Sequence, residues 1–136
     1  MVCSMPDPRI EACVVDGLIP KTPGAPWRWI GSNSHYHFDL WSGRKLAFFA
    51  RFAVVESNLK ALGPITVKAG LNGRPLAEGR FDTPGIHELT ARVPAELAAR
   101  GGPVEVAVAI DPVITTDDGS KLGVLLFSIG FRTLAE

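Results

Sequence analysis

Charge of either sign is not in excess in this chain: 14 Lys and Arg residues balance 14 Asp and Glu residues over 136 positions. With no basic run either, it has no electrostatic footprint for a nucleic-acid backbone or an anionic membrane. Long apolar runs are also missing. The longest, Gly123 to Phe131, is interrupted by Ser128 and Gly130 and falls well short of the roughly 18 residues a membrane span needs, so no membrane insertion is expected. The N-terminus carries no basic segment followed by a hydrophobic stretch, which makes a cytoplasmic location the expectation. Cysteine is scarce. Cys3 and Cys13 have no metal or redox spacing, and they read either as free thiols or as one disulfide pinning the N-terminal segment. Finally, there is no Gly-x-Ser-x-Gly, no Walker loop and no GxGxxG after a strand, so the common catalytic signatures are absent.

What is present is material for a core. Apolar residues make up 46% and charged residues 21%, which excludes disorder through low hydrophobicity, and the length suits one domain over 1–136, with residues 1–9 as a flexible tail. The 14 glycines and 11 prolines are spread along the chain as the punctuation of many short strands. Leu46 to Val55 has two interleaved faces, Leu46, Phe48, Ala50, Phe52 and Val54 against Ala47, Phe49, Arg51, Ala53 and Val55, so the strand is central and covered on much of both sides. Ile65, Val67, Ala69 and Leu71 point inward, and Asn72-Gly73 then suits a type I′ hairpin. Pro75 places the returning strand at an edge or a strand start. His87 to Val93 alternates again, as do Val104, Val106, Val108 and Ile110.

Pro94 to Arg100 reads as a helix of about two turns, with proline in its first turn and Gly101 after its end. Asp111 to Lys121 reads as a polar loop before a closing strand, Leu122 to Phe131. Ile10 to Val15, Trp27 to Ile30 and His35 to Leu40 are shorter strands, and Gly31-Ser-Asn-Ser34 is a turn by composition. About eight strands, one short helix and no βαβ alternation predict an all-β fold: an antiparallel two-sheet β-sandwich, of jelly-roll type. Its expected core includes Phe48, Phe52, Val67, Leu71, Leu89, Val106, Val108, Leu126 and Phe127.

The second half has a cadence of its own: Asn72-Gly-Arg-Pro-Leu76, Pro84-Gly-Ile-His-Glu-Leu89, Val93-Pro-Ala-Glu-Leu97, Gly101-Gly-Pro-Val-Glu-Val106 and Lys121-Leu-Gly-Val-Leu-Leu-Phe-Ser-Ile-Gly-Phe131. Over residues 44–131 it resembles the carbohydrate-binding-module-type β-sandwich domains of bacterial sugar-processing and glycosyltransferase-associated proteins. In that pattern an Asn-Gly hairpin precedes a G-x-H-x-L strand, a VP-x-x-L turn and an LG-V-x-L-x-x-I closing strand. Most matched positions are core or turn residues, so the resemblance implies the fold and, by analogy, glycan binding. It carries over no catalytic residue.

Candidate ligand residues come from the side-chain chemistry. Trp27, Trp29, Tyr36 and Trp41 fall within fifteen residues. Aromatic planes stack on the C–H faces of sugar rings, while Arg28, Asn33, His35 and His37 bond hydroxyls. Against this, aromatics are largely buried in any sandwich. Trp41, before the turn-like Ser42-Gly43, and Tyr36, alternating away from the histidines, are the expected exposed pair, and Trp27 and Trp29 the expected core pair. His35 and His37 share a face, and His87 is the one further imidazole for a metal, although His-x-His on an exposed strand is the simpler reading. Asp111, Asp117 and Asp118 offer the oxygen ligands of a structural calcium, with an ordinary Asp-Asp-Gly turn as the plainer alternative; no other cofactor is expected.

Three functions follow in order: a non-catalytic carbohydrate-binding-like module; a structural or protein-interaction domain with no small-molecule ligand, as a homo-oligomer or a piece of a larger assembly; and, distantly, a small enzyme. A homodimer is the expected assembly. Zero net charge and apolar residues on both faces of Leu46–Val55 and Leu122–Phe131 motivate the homodimer.

Overall fold

The computed structural model describes residues 2–4, 14–18, 28–40, 43, 45–117, 119 and 121–133. Its strands are β1 (Val2–Ser4), β2 (Val14–Leu18), β3 (Arg28–Leu40), β4 (Leu46–Val54), β5 (Ile65–Leu71), β6 (Arg74–Phe81), β7 (Gly85–Arg92), β8 (Gly102–Asp111), β9 (Ile114–Thr115), β10 (Lys121–Leu122) and β11 (Val124–Thr133). Helix α1 (Glu56–Leu62) follows β4, and α2 (Ala95–Arg100) follows β7. Among the described residues every strand pair is antiparallel, and no helix is long and apolar enough to cross a membrane.

Two layers form the antiparallel β-sandwich. The first runs β6-β5-β8-β3, with β2 on the other edge of β3. The second runs β7-β4-β11, with β1 beside β11. β3 belongs to both, pairing β11 through residues 28–30 and β8 through residues 33–40. Inward residues follow the period of two. In β4, Leu46, Phe48, Ala50, Phe52 and Val54 are buried, and Arg51 on the other face is exposed. Ile65, Val67, Ala69 and Leu71 of β5 face the same core, as do Val104, Val106, Val108 and Ile110 of β8. Edge-to-face rings tie the layers: Phe38 of β3 meets Phe131 of β11 at 5.3 Å, and Phe52 of β4 meets Phe81 of β6 at 5.0 Å. Such pairs add about 0.5–1.5 kcal/mol beyond the area they bury.

The Asn72-Gly73 turn forms as its chemistry requires, with φ of 50° and 83°, and β6 lies at the end of its sheet, the edge position in which a strand proline such as Pro75 is tolerated. Proline and glycine also bracket α2: Pro94 is its N-cap and Gly101 its C-cap.

Four expectations need correction. Gly31 to Ser34 is not a turn but the interior of one continuous β3. Glycine is needed there because a Cβ on Gly31 would lie 2.9 Å from the Lys121 carbonyl oxygen. The chain has two short helices rather than one. α1 lacks a side-chain N-cap, since Val55 holds that position, and so gives no start signal. It is held by Asn58, 3% exposed, whose amide donates to the carbonyls of Leu122 and Gly123, each at 3.2 Å. The polar loop contains the small β9–β10 ladder. Phe127 is only half-buried and stands outside the core, because a bulge between Leu126 and Ser128 breaks the alternation of β11.

Phe48→Ala, at a fully buried site, should cost about 3–5 kcal/mol. Gly123→Ala should cost about 1–3 kcal/mol, because the new Cβ would sit 2.9 Å from the Ile30 carbonyl oxygen and 3.0 Å from Ile110 Cγ2. Urea denaturation should show both as lowered midpoints with unchanged slope.

Candidate functional site

The outward residues of the first sheet are set by the same alternation that buries the core. Directly paired residues share a face, so the register defines rows across the strands. Asn33 pairs with Ala109, Ala109 with Lys68, and Lys68 with Glu78. His35 pairs with Ala107, Ala107 with Gly70, and Gly70 with Pro75. His37 pairs with Glu105. At about 4.8 Å between strands, His35 and Gly70 stand roughly 10 Å apart.

The middle of this face is built from alanine and glycine, and the sheet surface is therefore recessed between larger side chains. A shallow trough of ≈ 560 Å³ lies there, floored by Gly70, Ala107 and Ala109 and walled by Lys68, Arg74, Pro75 and Glu78. Lys68 and Glu78 form an exposed ion pair at 3.4 Å. Such a pair adds little stability, but it holds a donor and an acceptor side by side at the trough wall. Asn33 and His37 are exposed and His35 half-buried on the β3 side. The face therefore presents an amide, imidazoles, an ammonium, a guanidinium and carboxylates, groups able to bond hydroxyls of either polarity.

A second cleft, of ≈ 350 Å³, adjoins it between the β5–β6 hairpin and α2; Arg74, Pro75 and Leu76 border both.

The residues expected at a site are only partly brought together. Asn33, His35 and His37 share the outer face. Tyr36 does not: it is 0% exposed, and its hydroxyl donates to Ser34 Oγ at 2.9 Å. It does alternate away from the histidines, but the histidines face solvent and the tyrosine the core, the reverse of the assignment that made it a ligand residue. The backbone of Arg28 pairs with Leu126. Trp27 and Trp41 lie outside the described residues. Trp29, expected in the core, is half-buried. It falls in a row with Leu125, Ala53 and Ile86 on the outer face of the second sheet.

The three imidazoles do not converge. His87 shares the inward parity of Leu89, with its ring 4.9 Å from that of Phe81 and Nε2 2.9 Å from the Thr83 carbonyl oxygen. Asp111 and Asp117 are exposed, while Asp118 lies outside the described residues. Among the described residues no three His, Cys, Asp or Glu side chains are grouped to hold a metal. Lys68 and the trough floor are lining residues that the sequence reading does not single out. Lys68 was legible as outward-facing, but Ala107, Ala109 and Gly70 carry no signal of their own until three strands are set in register.

No family model matches the chain, and no curated protein matches it. Solved structures do. The native structure of a family 35 carbohydrate binding module from Clostridium thermocellum has 10% identity and a TM-score of 0.58, covering 98% of each chain. A family GH115 4-O-methyl-alpha-glucuronidase, BtGH115A, aligns over 80% of this chain and 14% of its own at 11% identity and TM-score 0.47. The carbohydrate-binding module CBM36 in complex with calcium and xylotriose aligns over 88% of this chain and 98% of its own at 16% identity and TM-score 0.44. The first match runs end to end on both chains. The fold is thus a β-sandwich of the carbohydrate-binding-module type.

Tyr36→Phe should lower stability by about 0.5–1.5 kcal/mol, the net worth of one buried hydrogen bond, and leave any ligand affinity unchanged. Denaturation together with a binding isotherm reads both quantities. A loss of affinity at unchanged stability would return Tyr36 to the site.

Proposed function

We propose that this domain is a non-catalytic carbohydrate-binding module that holds a glycan along the outer trough of the first sheet. The observation that carries the reading is the end-to-end fold match to a carbohydrate-binding module, joined to an open face whose polar groups lie around a small-residue floor. A trough of this shape suits an extended chain, which needs length and shallow contact more than enclosure. Asn33 and His37 bond hydroxyls from one side, and Lys68 and Glu78 from the other. Binding without turnover is supported by the trough lining, whose one carboxylate among the described residues, Glu78, is engaged with Lys68, whereas glycoside hydrolysis ordinarily uses a pair of carboxylates flanking the bond.

The test is a glycan array followed by calorimetry on the hits. A combined Asn33→Ala and His37→Ala variant should bind about tenfold more weakly, a loss near 1.4 kcal/mol, with its melting temperature unchanged because both residues are exposed. An array with no hit would sink the reading.

A second reading, a homodimer, is favoured by the second sheet. Trp29, Leu125, Ala53 and Ile86 form an apolar row across four strands, and Ile86 is 55% exposed. Further along the same face of β4, Phe49, although outward-facing, is only 8% exposed and lies under the Arg132 guanidinium at 5.0 Å. Arg132 in turn pairs with Glu88. Sedimentation should then show a dimer that Ile86→Glu converts to monomer. A wild-type monomer at high micromolar concentration would remove this second reading and leave the first intact.

A further inference from the structure

The outer strands of the two sheets are not alike. β6 carries Pro75 and shifts register against β5, β2 shifts register against β3, and β1 is 3 residues long. Each of these features blunts an edge against further pairing. β7 has none of them: its 8 residues contain no proline, and they pair β4 without a shift. Among the described residues no strand pairs with its other side. One hydrogen bond fixes which backbone groups face that open edge. The Val93 N–H donates to the Leu46 carbonyl at 2.9 Å, one step beyond the pairing of Ala47 with Arg92. In an antiparallel ladder the backbone polar groups point to a given neighbour at alternate residues. Those of Ala91, Leu89 and His87 therefore face β4, and those of Arg92, Thr90, Glu88 and Ile86 face the open edge.

The side chains of those same residues are exposed, and two of them, Glu88 and Arg92, carry opposite charges on either side of Thr90. A second copy of β7 laid antiparallel along the edge, with a twofold axis at Thr90, sets each Glu88 opposite the partner's Arg92. Moving the axis to Glu88 sets that carboxylate against its own copy, and moving it to Arg92 does the same for the guanidinium. Opposite charges directly across an antiparallel pair stabilise it and like charges destabilise it, so charge selects the Thr90 register. In that register the outward backbone groups of Glu88, Thr90 and Arg92 exchange both N–H···O bonds with the partner strand. Glu88 also pairs with Arg132 of its own chain, and an ionised carboxylate has acceptor sites for both guanidiniums. The apolar row of the second sheet ends at this edge on Ile86, which the same register places opposite the partner's Pro94.

We infer that two copies of this chain join edge to edge through β7, about a twofold axis at Thr90, so that their second sheets become one. The inference rests on the homodimer reading and deepens it by naming the joining strand and its register. The contact is isologous and therefore closes at the dimer, leaving neither β7 edge to recruit a further chain. No residue of β7 lines the trough, so the join takes up none of the groups proposed to hold a glycan.

Sedimentation of the full chain tests this with Glu88→Arg and Arg92→Glu, each alone and then mixed in equal amounts. Alone, either variant sets like charges against each other at both ends of the join, and its dimer should weaken about tenfold. Mixed, each reversed residue meets an opposite charge on the other variant, and dimerisation should return to the wild-type level. Hydrogen exchange on the wild-type protein gives a readout free of substitutions. The amides of Glu88, Thr90 and Arg92 should be protected at dimer-forming concentration and exposed on dilution, while those of β6 stay unchanged. A mixture that dimerises no better than either variant alone would overturn the inference. So would a wild-type dimer in which those three amides exchange as fast as in dilute protein, although the homodimer reading would then survive with its contact elsewhere. A wild-type monomer at high micromolar concentration would remove both.

Discussion

Where β3 leaves one sheet and joins the other, the backbones of three elements crowd together. The Gly123 N–H donates to the Ile30 carbonyl at 2.9 Å, and a side chain on Gly31 or Gly123 would collide with a carbonyl at 2.9 Å. This close approach lets one strand pair β11 through residues 28–30 and β8 through residues 33–40. Asn58 closes the same corner by bonding the carbonyls of Leu122 and Gly123, so α1 cannot lift away without leaving a buried amide unsatisfied. Remove the corner and the two sheets lose their shared strand.

From that corner the parity of β3 is set, and with it the division between core and site. Tyr36, Phe38 and Leu40 go inward to meet Phe131 and the aliphatic residues of β8. Asn33, His35 and His37 go outward as a consequence. A one-residue slip would exchange the two sets and bury imidazoles. The register with β8 and β5 then brings the small side chains of Ala107, Ala109 and Gly70 beside them. The trough is thus a by-product of pairing, made where three adjacent strands turn their smallest residues to the same side.

Much of this is legible in the sequence itself. Alternation in β4, β5, β7 and β8 identified the faces correctly, because a charged or polar residue marks the outer side of each. Asn72-Gly73 announced its turn through backbone chemistry alone, and Pro94 with Gly101 bracketed α2. Gly31 misled, since close approach to a distant carbonyl and a local turn select the same residue. Val55 gave no warning of α1, whose stability comes from Asn58 reaching across 64 positions to Leu122. For Tyr36 the period was readable but its sign was not: no strongly charged residue in Ser34 to Phe38 says which side is wet. The trough floor was invisible because an alanine row exists only in register.

Fold and face together make a consistent physical case for glycan recognition, with an apolar row on the opposite sheet left to another role. The claim that glycan contact falls on the first sheet has one most direct measurement, the mapping of backbone amide shifts by nuclear magnetic resonance during titration with a glycan that binds. The account predicts perturbations concentrated on Asn33 to His37, Glu105 to Ala109 and Lys68 to Glu78, with Ile86 to Arg92 unmoved. Perturbations confined to the second sheet, or to the Asp111–Lys121 loop, would contradict it.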